Sequence, residues 1–249
     1  MRDTDADWNE IAHWFPFYGV LAAERFHPDK MTPDDVEVFY EWGRADVERA
    51  VAPYERLTGE KFAPDRALDF GCGLGRMTLA MRKYAREVVG VDVAPRMLEV
   101  AREQAGARNV TNVEFRSTLP ADPVDWVNSL IVLQHIPPRR GLLILEQLVA
   151  LLNPGGWFSV QLTFFRDERH VAEITRDVAD HRYDGETVDV LTSRDDAPIG
   201  SVSMYDYDLN RVFRTLYLAG IEEVLAEHTD HAGYHGARLF GRKQAVGAR

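Results

Sequence analysis

The feature that most constrains this chain is a set of three glycines that follows an apolar segment. Residues 66–70 are largely apolar, and Gly71, Gly73 and Gly75 come after them, before an amphipathic segment. Because glycine has no Cβ atom, these positions allow unusual backbone angles and the close approach of a ligand. The start of a following helix would supply N–H groups for an anionic part of that ligand. The spacing is G-x-G-x-G, whereas a dinucleotide fingerprint requires a third glycine where Arg76 stands.

An acidic residue gives the second signal. Asp92 directly follows the apolar segment 87–91, about 20 residues after the glycines. A carboxylate at the end of such a strand can accept hydrogen bonds from both hydroxyls of a ribose. An aspartate at a strand end is by itself an ordinary turn residue. Its combination with the glycines is what favours a nucleoside site.

Short apolar runs alternate with amphipathic runs through most of the chain. This order is typical of a parallel sheet with helices on both faces. The long apolar run 124–132 fits a strand buried on both faces. The predicted turns are 153–156 and 230–233. The predicted strands are 66–70, 87–91, 113–116, 124–132, 157–163, 222–229 and 234–242, and the predicted helices are 5–15, 33–56, 76–84, 95–104, 139–152 and 208–219.

Composition divides the chain into regions. Residues 1–62 are rich in aromatic side chains, and we predict that they form an N-terminal helical cap. Residues 63–249 would form the α/β domain. Within it, the charged segment 165–205 is predicted to be a lid-like insertion, part helix and part loop or strand.

Charge and composition exclude several classes of function. The chain has 29 basic and 40 acidic residues, a net charge of −11, which opposes binding to a nucleic-acid backbone. Its longest apolar runs are far shorter than the roughly 20 residues of a membrane span, and its acidic N-terminus is unlike a signal peptide. The single cysteine, Cys72, offers neither an internal disulfide nor metal-ligand spacing. We therefore predict a cytoplasmic protein without a metal, a membrane or a nucleic acid as partner.

Taken together, these motifs resemble those of the class I S-adenosylmethionine-dependent methyltransferases. Residues 69–76 resemble the family's glycine-rich motif, 89–92 its acidic ribose-binding element, and 124–135 its fourth strand and following loop. The resemblance is strong over 63–164 and holds in outline over 206–243. It implies a Rossmann-like, mostly parallel sheet of seven strands with helices on both faces and the last strand antiparallel. It also implies S-adenosylmethionine as cofactor and in-line methyl transfer to a small-molecule acceptor.

The resemblance implies roles for individual residues. Asp92 would hold the ribose, and Arg76 would pair with the carboxylate of the cofactor, unless it is a solvated helix residue. The family often has an acidic residue in the segment 117–119, and this chain lacks one, so backbone or hydroxyl groups would replace it. The implied cofactor-binding set is Asp69, Gly71, Cys72, Gly73, Gly75, Arg76, Asp92, Val93, Met97, Ser117, Thr118, Leu119, Leu133 and Gln134.

A catalytic residue and an acceptor site are predicted from position in the fold. His135 follows the fourth strand at the carboxyl edge of the sheet, where ligands sit in such folds, so it is the candidate base. The alternative is a histidine that fixes the loop. The aromatic candidates could equally pack in the core, and the histidine-rich turn near 230 could be solvated. The candidate acceptor-binding residues are Trp14, Tyr18, Tyr40, His231 and Tyr234.

Two other functions remain open on the sequence alone. One is an NAD-dependent oxidoreductase on a related fold, which Arg76 in place of the third glycine disfavours. The other is a non-catalytic module that binds a nucleoside or a partner protein. Residues 133–136 read Leu-Gln-His-Ile rather than the Asp/Asn-Pro-Pro-aromatic tetrapeptide of amino-methylating subfamilies, which argues against those subfamilies.

Overall fold

The computed structural model describes residues 3–168, 170, 180–183, 188–191 and 199–244. The chain divides into two compact units, Asp5–Asn128 and Ser129–Arg249, the second together with Met1–Thr4. We call them the first and the second unit. The sequence predicts a boundary near residue 62, which is not where this division falls.

The first unit contains four parallel strands in the order β3-β2-β1-β4. Leu68 of β1 lies opposite Val89 of β2 on one side and Val127 of β4 on the other. The carboxyl ends of β1 and β2 therefore meet at one edge. The elements are α1 (Thr4–Trp14), α2 (Pro16–Val20), α3 (Pro33–Thr58), β1 (Arg66–Phe70), α4 (Thr78–Met81), β2 (Glu87–Val91), α5 (Pro95–Ala107), β3 (Val113–Arg116) and β4 (Val124–Ser129).

The long helix α3 has clear signals at both ends. Thr32 and Asp35 form a capping box, in which each side chain bonds the other's backbone N–H, and Pro33 occupies the first turn. Gly59 ends the helix with a φ of 70°, the left-handed conformation that glycine adopts without steric cost. Hydrophobic residues of α3, including the fully buried Phe39, join the apolar core of the unit.

The second unit pairs β5 and β8 with β9, and both pairings are antiparallel. The hairpin β6–β7 forms a separate two-stranded sheet, and the rest of the predicted insertion lies largely outside the described residues. The elements are α6 (Pro138–Leu151), β5 (Leu152–Arg166), β6 (Asp180–Tyr183), β7 (Val188–Leu191), α7 (Leu209–Leu218), β8 (Val224–His231) and β9 (Tyr234–Arg242).

The seven long-sheet strands have the order β3-β2-β1-β4-β5-β9-β8. This confirms the predicted seven-stranded, mostly parallel sheet with its last strand antiparallel. Strands β2 and β3 lie on one side of β1, and β4 lies on the other side. In doubly wound folds, ligands bind where the strand order switches sides in this way.

Several predicted boundaries are wrong; β8, for example, spans Val224–His231 rather than 222–229. Three further errors lie close to turns. Helix α4 begins at Thr78 rather than 76 and has only four residues, so it gives little support to the argument from a helix N-terminus. Strand β4 ends at Ser129 rather than 132, because Ile131 has a φ of 59° and leaves the extended conformation. The predicted turn 153–156 forms the first part of β5, where Gly155 has a φ of 82° and its N–H donates to the Lys243 carbonyl.

Candidate cofactor-binding site

The loop after β1 takes its shape from its three glycines. Gly71, Gly73 and Gly75 have φ angles of 72°, 51° and 75°, all in the left-handed region. A side chain at position 75 would also meet the Phe115 ring at 2.9 Å. The N–H groups of Gly71 and Cys72 donate to the carbonyl of Val91 at the end of β2. The loop is therefore hydrogen-bonded to the neighbouring strand. Residues other than glycine would be strained at its positive φ angles.

The carboxylate of Asp92 lies against this loop. One of its oxygens accepts a 2.8 Å hydrogen bond from the Gly73 N–H, and the other accepts a 2.9 Å bond from the Ala94 N–H. Burial raises the pKa of Asp92, while these two backbone bonds act in the opposite direction. A carboxylate offers about four lone-pair positions, so it can accept bonds from a ligand's hydroxyls in addition to these two.

Asp69 supports the loop from inside the protein. Its carboxylate accepts bonds from the Thr78 hydroxyl at 2.7 Å and from the Asn128 amide at 3.0 Å. Burial raises the pKa of this carboxyl as well, and the two donors oppose that effect. Both oxygens thus have partners within the first unit, which suits a residue that shapes the loop. Sequence reasoning did not identify Thr78 or Asn128.

Arg76 is held by helix α3. Its buried guanidinium pairs with Asp46 and lies 6.0 Å from the centre of the Phe39 ring. The alternative of a solvated helix residue is therefore wrong, because Arg76 is only 5% exposed. Its pairing with a cofactor carboxylate stays a prediction.

The other candidates in the first unit differ in exposure. Val93 is 37% exposed at the end of β2, whereas Met97 is 1% exposed in the core. The thiol of Cys72 is buried, which raises its pKa. Ser117 and Thr118 are exposed after β3, with Leu119 half-buried beside them. The predicted roles of these residues in cofactor binding remain predictions.

In the second unit, Leu133, Gln134 and His135 form a buried 3-10 turn. The Nδ1 atom of His135 lies 2.9 Å from the Ser203 carbonyl oxygen. A carbonyl can only accept, so Nδ1 carries the hydrogen and Nε2 is the basic nitrogen of the neutral ring. Burial lowers the pKa of His135 to about 4. This geometry suits a histidine that fixes the loop, and the role of base remains a prediction.

The aromatic acceptor candidates of the first unit are not placed alike. Trp14 is 60% exposed, and Tyr18 lines an open cavity of about 440 Å³ with His27 and Lys30 among its neighbours. Tyr40 is only 2% exposed, and its hydroxyl donates to the Leu74 carbonyl at 2.9 Å. Tyr40 therefore lies behind the glycine loop, and this disfavours contact with an acceptor.

The remaining acceptor candidates sit at the turn between β8 and β9. His231 pairs with Tyr234 across the hairpin, and the Tyr234 ring stacks on His170 with centres 4.2 Å apart. His228 and His235 approach each other to 3.2 Å. Among the described residues, three or more metal-ligating side chains do not gather anywhere in a way that could hold an ion. In the same part of the chain, every helix is too short or too polar to cross a membrane.

Comparison with known proteins finds a match to one segment of the chain. Residues 67–156 match the family described as a methyltransferase domain. The ubiquinone biosynthesis O-methyltransferase of Bordetella avium is 33% identical over 99 residues, 37% of this chain and 40% of that protein. The ribosomal protein L11 methyltransferase of Pseudomonas fluorescens is 32% identical over 103 residues, 41% of this chain and 35% of that protein. The chain thus matches less than half the length of these relatives.

A solved structure extends the likeness in fold to nearly the whole chain. The magnesium protoporphyrin IX methyltransferase ChlM from Synechocystis PCC 6803, crystallised with bound SAH, aligns with a TM-score of 0.65 at 15% identity. The alignment covers 97% of this chain and 100% of that one. Residues 67–156 thus match a methyltransferase domain, and the fold of the chain is like that of ChlM.

Proposed function

We propose that this protein transfers a methyl group from S-adenosylmethionine to a small-molecule acceptor by in-line displacement. The observation that carries the proposal is the left-handed glycine loop with the Asp92 carboxylate bonded to Gly73, all within the first unit. Glycine lets the backbone take the left-handed angles of this loop, which would bind the amino-acid part of the cofactor, and Asp92 has lone pairs for the ribose hydroxyls. When bound, S-adenosylmethionine supplies a methyl group already activated by its sulfonium charge.

The residues of the chain would then act mainly by positioning. Holding donor and acceptor in line and excluding water are the contributions that such a reaction needs from a protein. A base is required only where the attacking atom of the acceptor carries a proton of high pKa. His135 is neutral at pH 7 with Nε2 as its basic nitrogen, but a pKa of about 4 makes it a weak base. The proposal therefore does not depend on His135.

The charge of the chain supports a small molecule as the acceptor. A net charge of −11 repels a phosphate backbone, and charge neutralisation supplies most of the affinity for nucleic acid. The names of the relatives do not decide the question. They include a methyltransferase for ubiquinone biosynthesis, one for the ribosomal protein L11 and one for uracil 1939 of 23S rRNA.

Calorimetric titration tests the cofactor directly. The wild type is titrated with S-adenosylmethionine, S-adenosylhomocysteine and NAD, beside Asp92→Asn and the control Asp65→Asn. Asp65 is an exposed aspartate that precedes β1, at the other end of the strand from the glycine loop. We expect Asp92→Asn to weaken both adenosyl ligands by about ten- to a hundredfold, because charge-assisted hydrogen bonds are lost, and Asp65→Asn to leave them unchanged.

The same titrations separate the alternatives. Binding of NAD alone would replace the proposal with an oxidoreductase. Binding of the adenosyl ligands without methyl transfer to any offered small molecule would instead favour a non-catalytic nucleoside-binding module. Transfer is followed by mass spectrometry, as release of S-adenosylhomocysteine and a methylated product.

A further inference from the structure

One face of helix α3 touches the glycine loop at three successive positions. Tyr40, Gly43 and Asp46 are spaced three residues apart, which places them on one side of a helix. The Tyr40 hydroxyl donates to the Leu74 carbonyl at 2.9 Å, in the middle of the loop. Asp46 pairs with the Arg76 guanidinium at the loop's end. Both contacts lie within the first unit.

Gly43 allows the helix and the loop to come this close. A Cβ atom at position 43 would lie 2.3 Å from the Arg76 carbonyl oxygen and 2.5 Å from its Cγ atom. A Cβ atom does not come this close to atoms to which it is not bonded, so a larger residue would push the loop and the helix apart. The glycine in the middle of α3, which costs helix stability, is thus explained by the approach of the loop.

Both contacts involve a buried side chain, which shields them from water. Tyr40 is 2% exposed, so its bond to Leu74 does not compete with water, and burial raises the pKa of its hydroxyl, which stays a donor. The guanidinium of Arg76 is buried between Asp46 and the Phe39 ring. Removing either partner would leave a buried polar group unsatisfied.

The loop needs such support because of its glycines. A segment with glycine at 71, 73 and 75 has unusually many conformations available, and fixing them costs entropy. If the loop is already ordered in the folded protein, the entropy cost of ordering it does not weaken ligand binding. We propose that Tyr40, Gly43 and Asp46 of α3 are positioning residues, which set the affinity for the amino-acid part of the cofactor by holding the glycine loop in its binding form. This inference rests on the proposed function.

Two ligands that differ only in the amino-acid part provide the test. S-adenosylhomocysteine carries it, whereas 5′-methylthioadenosine keeps the adenosine and the sulfur. Calorimetry is performed on the full chain with Tyr40→Phe, Asp46→Asn and Gly43→Ala. We expect S-adenosylhomocysteine to bind roughly three- to tenfold more weakly to Tyr40→Phe, the loss of about one hydrogen bond, while 5′-methylthioadenosine binds as before.

Matched controls come from the same helix. Tyr54→Phe removes a hydroxyl that donates to the exposed Glu60, and Glu41→Gln removes a carboxylate paired with Arg44. Neither should change the affinity for either ligand. The variant Asp46→Glu, which keeps the carboxylate, should recover part of the affinity that Asp46→Asn loses.

The outcomes are distinct. An equal loss for both ligands would mean that the variants loosen the whole unit, and it would overturn the inference. So would an unchanged affinity for S-adenosylhomocysteine in Tyr40→Phe, a variant mild enough to fold even if Gly43→Ala does not. A wild type that binds neither adenosyl ligand would instead refute the proposed function, and the inference with it.

Discussion

Acid should destabilise this protein through one buried histidine. The pKa of His135 is about 4 in the folded protein, against an ordinary value of 6.5, because the ring is buried. The neutral ring therefore contributes stability that is fully present above pH 6.5 and is lost as the pH falls towards 4. Each unit of pKa difference corresponds to about 1.4 kcal/mol. The interval from 6.5 to about 4 gives about 3 kcal/mol in total, of which about 2 kcal/mol is lost between pH 7 and pH 5.

The variant His135→Asn isolates this contribution. An asparagine amide can occupy the place of Nδ1 and still donate to the Ser203 carbonyl, but it does not take up a proton. The smaller size of asparagine lowers the free energy of unfolding equally at every pH. The comparison therefore uses the slope of the free energy of unfolding against pH. Urea unfolding at pH 7, 6 and 5, followed by circular dichroism, gives that slope for each protein.

We expect the wild type to lose about 2 kcal/mol more than His135→Asn between pH 7 and pH 5. The control is His13→Asn on α1, where the ring is exposed to solvent. If wild type and His135→Asn lose stability in parallel, the ring is not held neutral by burial, and the assignment of Nε2 as an unprotonated nitrogen loses its support.

Three further predictions concern substitutions that act through the backbone. Gly75→Ala should lower the free energy of unfolding by about 1–3 kcal/mol, because its φ is 75° and the new methyl group would meet Phe115. By contrast, Gly106→Ala on the exposed side of α5 should raise it by about 0.5–1 kcal/mol. Ala232 and Gly233 form the β8–β9 turn with φ angles of 58° and 90°, so Ala232→Asn should stabilise by about 0.5–1 kcal/mol. Urea midpoints at constant m-value check all three, and a stabilised Gly75→Ala or a destabilised Ala232→Asn would contradict the backbone strain inferred from these φ angles.

Much of the fold could be predicted because the relevant signals are local. Strands β1, β2 and β3 begin and end at the predicted residues, since each is a short segment whose own residue pattern favours a strand. The errors arose where distant partners decide the backbone. Residues 153–156 have the composition of a turn, but Gly155 and Gly156 exchange hydrogen bonds with Lys243, far along the chain.

The candidate site was predictable to the same degree. The spacing of the glycines after β1 predicts that the loop can adopt unusual backbone angles, and all three glycines have positive φ angles. The partners of the site residues were not found. Asp46 lies 30 residues from Arg76, and Ser203 lies 68 residues from His135. Only the regular spacing of 40, 43 and 46 on one helix could have hinted at the first of these contacts.

The bonds of Asp92 also bear on how this binding site can be changed. One oxygen holds the loop after β1 through Gly73, and the other holds the start of α5 through Ala94. On the proposed function, a substitution of Asp92 that alters recognition of the ribose would therefore release two backbone segments at once. Attempts to engineer the protein for modified cofactors should leave Asp92 in place and vary the neighbouring Val93, whose exposed side chain can change size without disturbing either segment. The same constraint would apply to natural divergence, so that new ligand preferences arise around this carboxylate rather than at it.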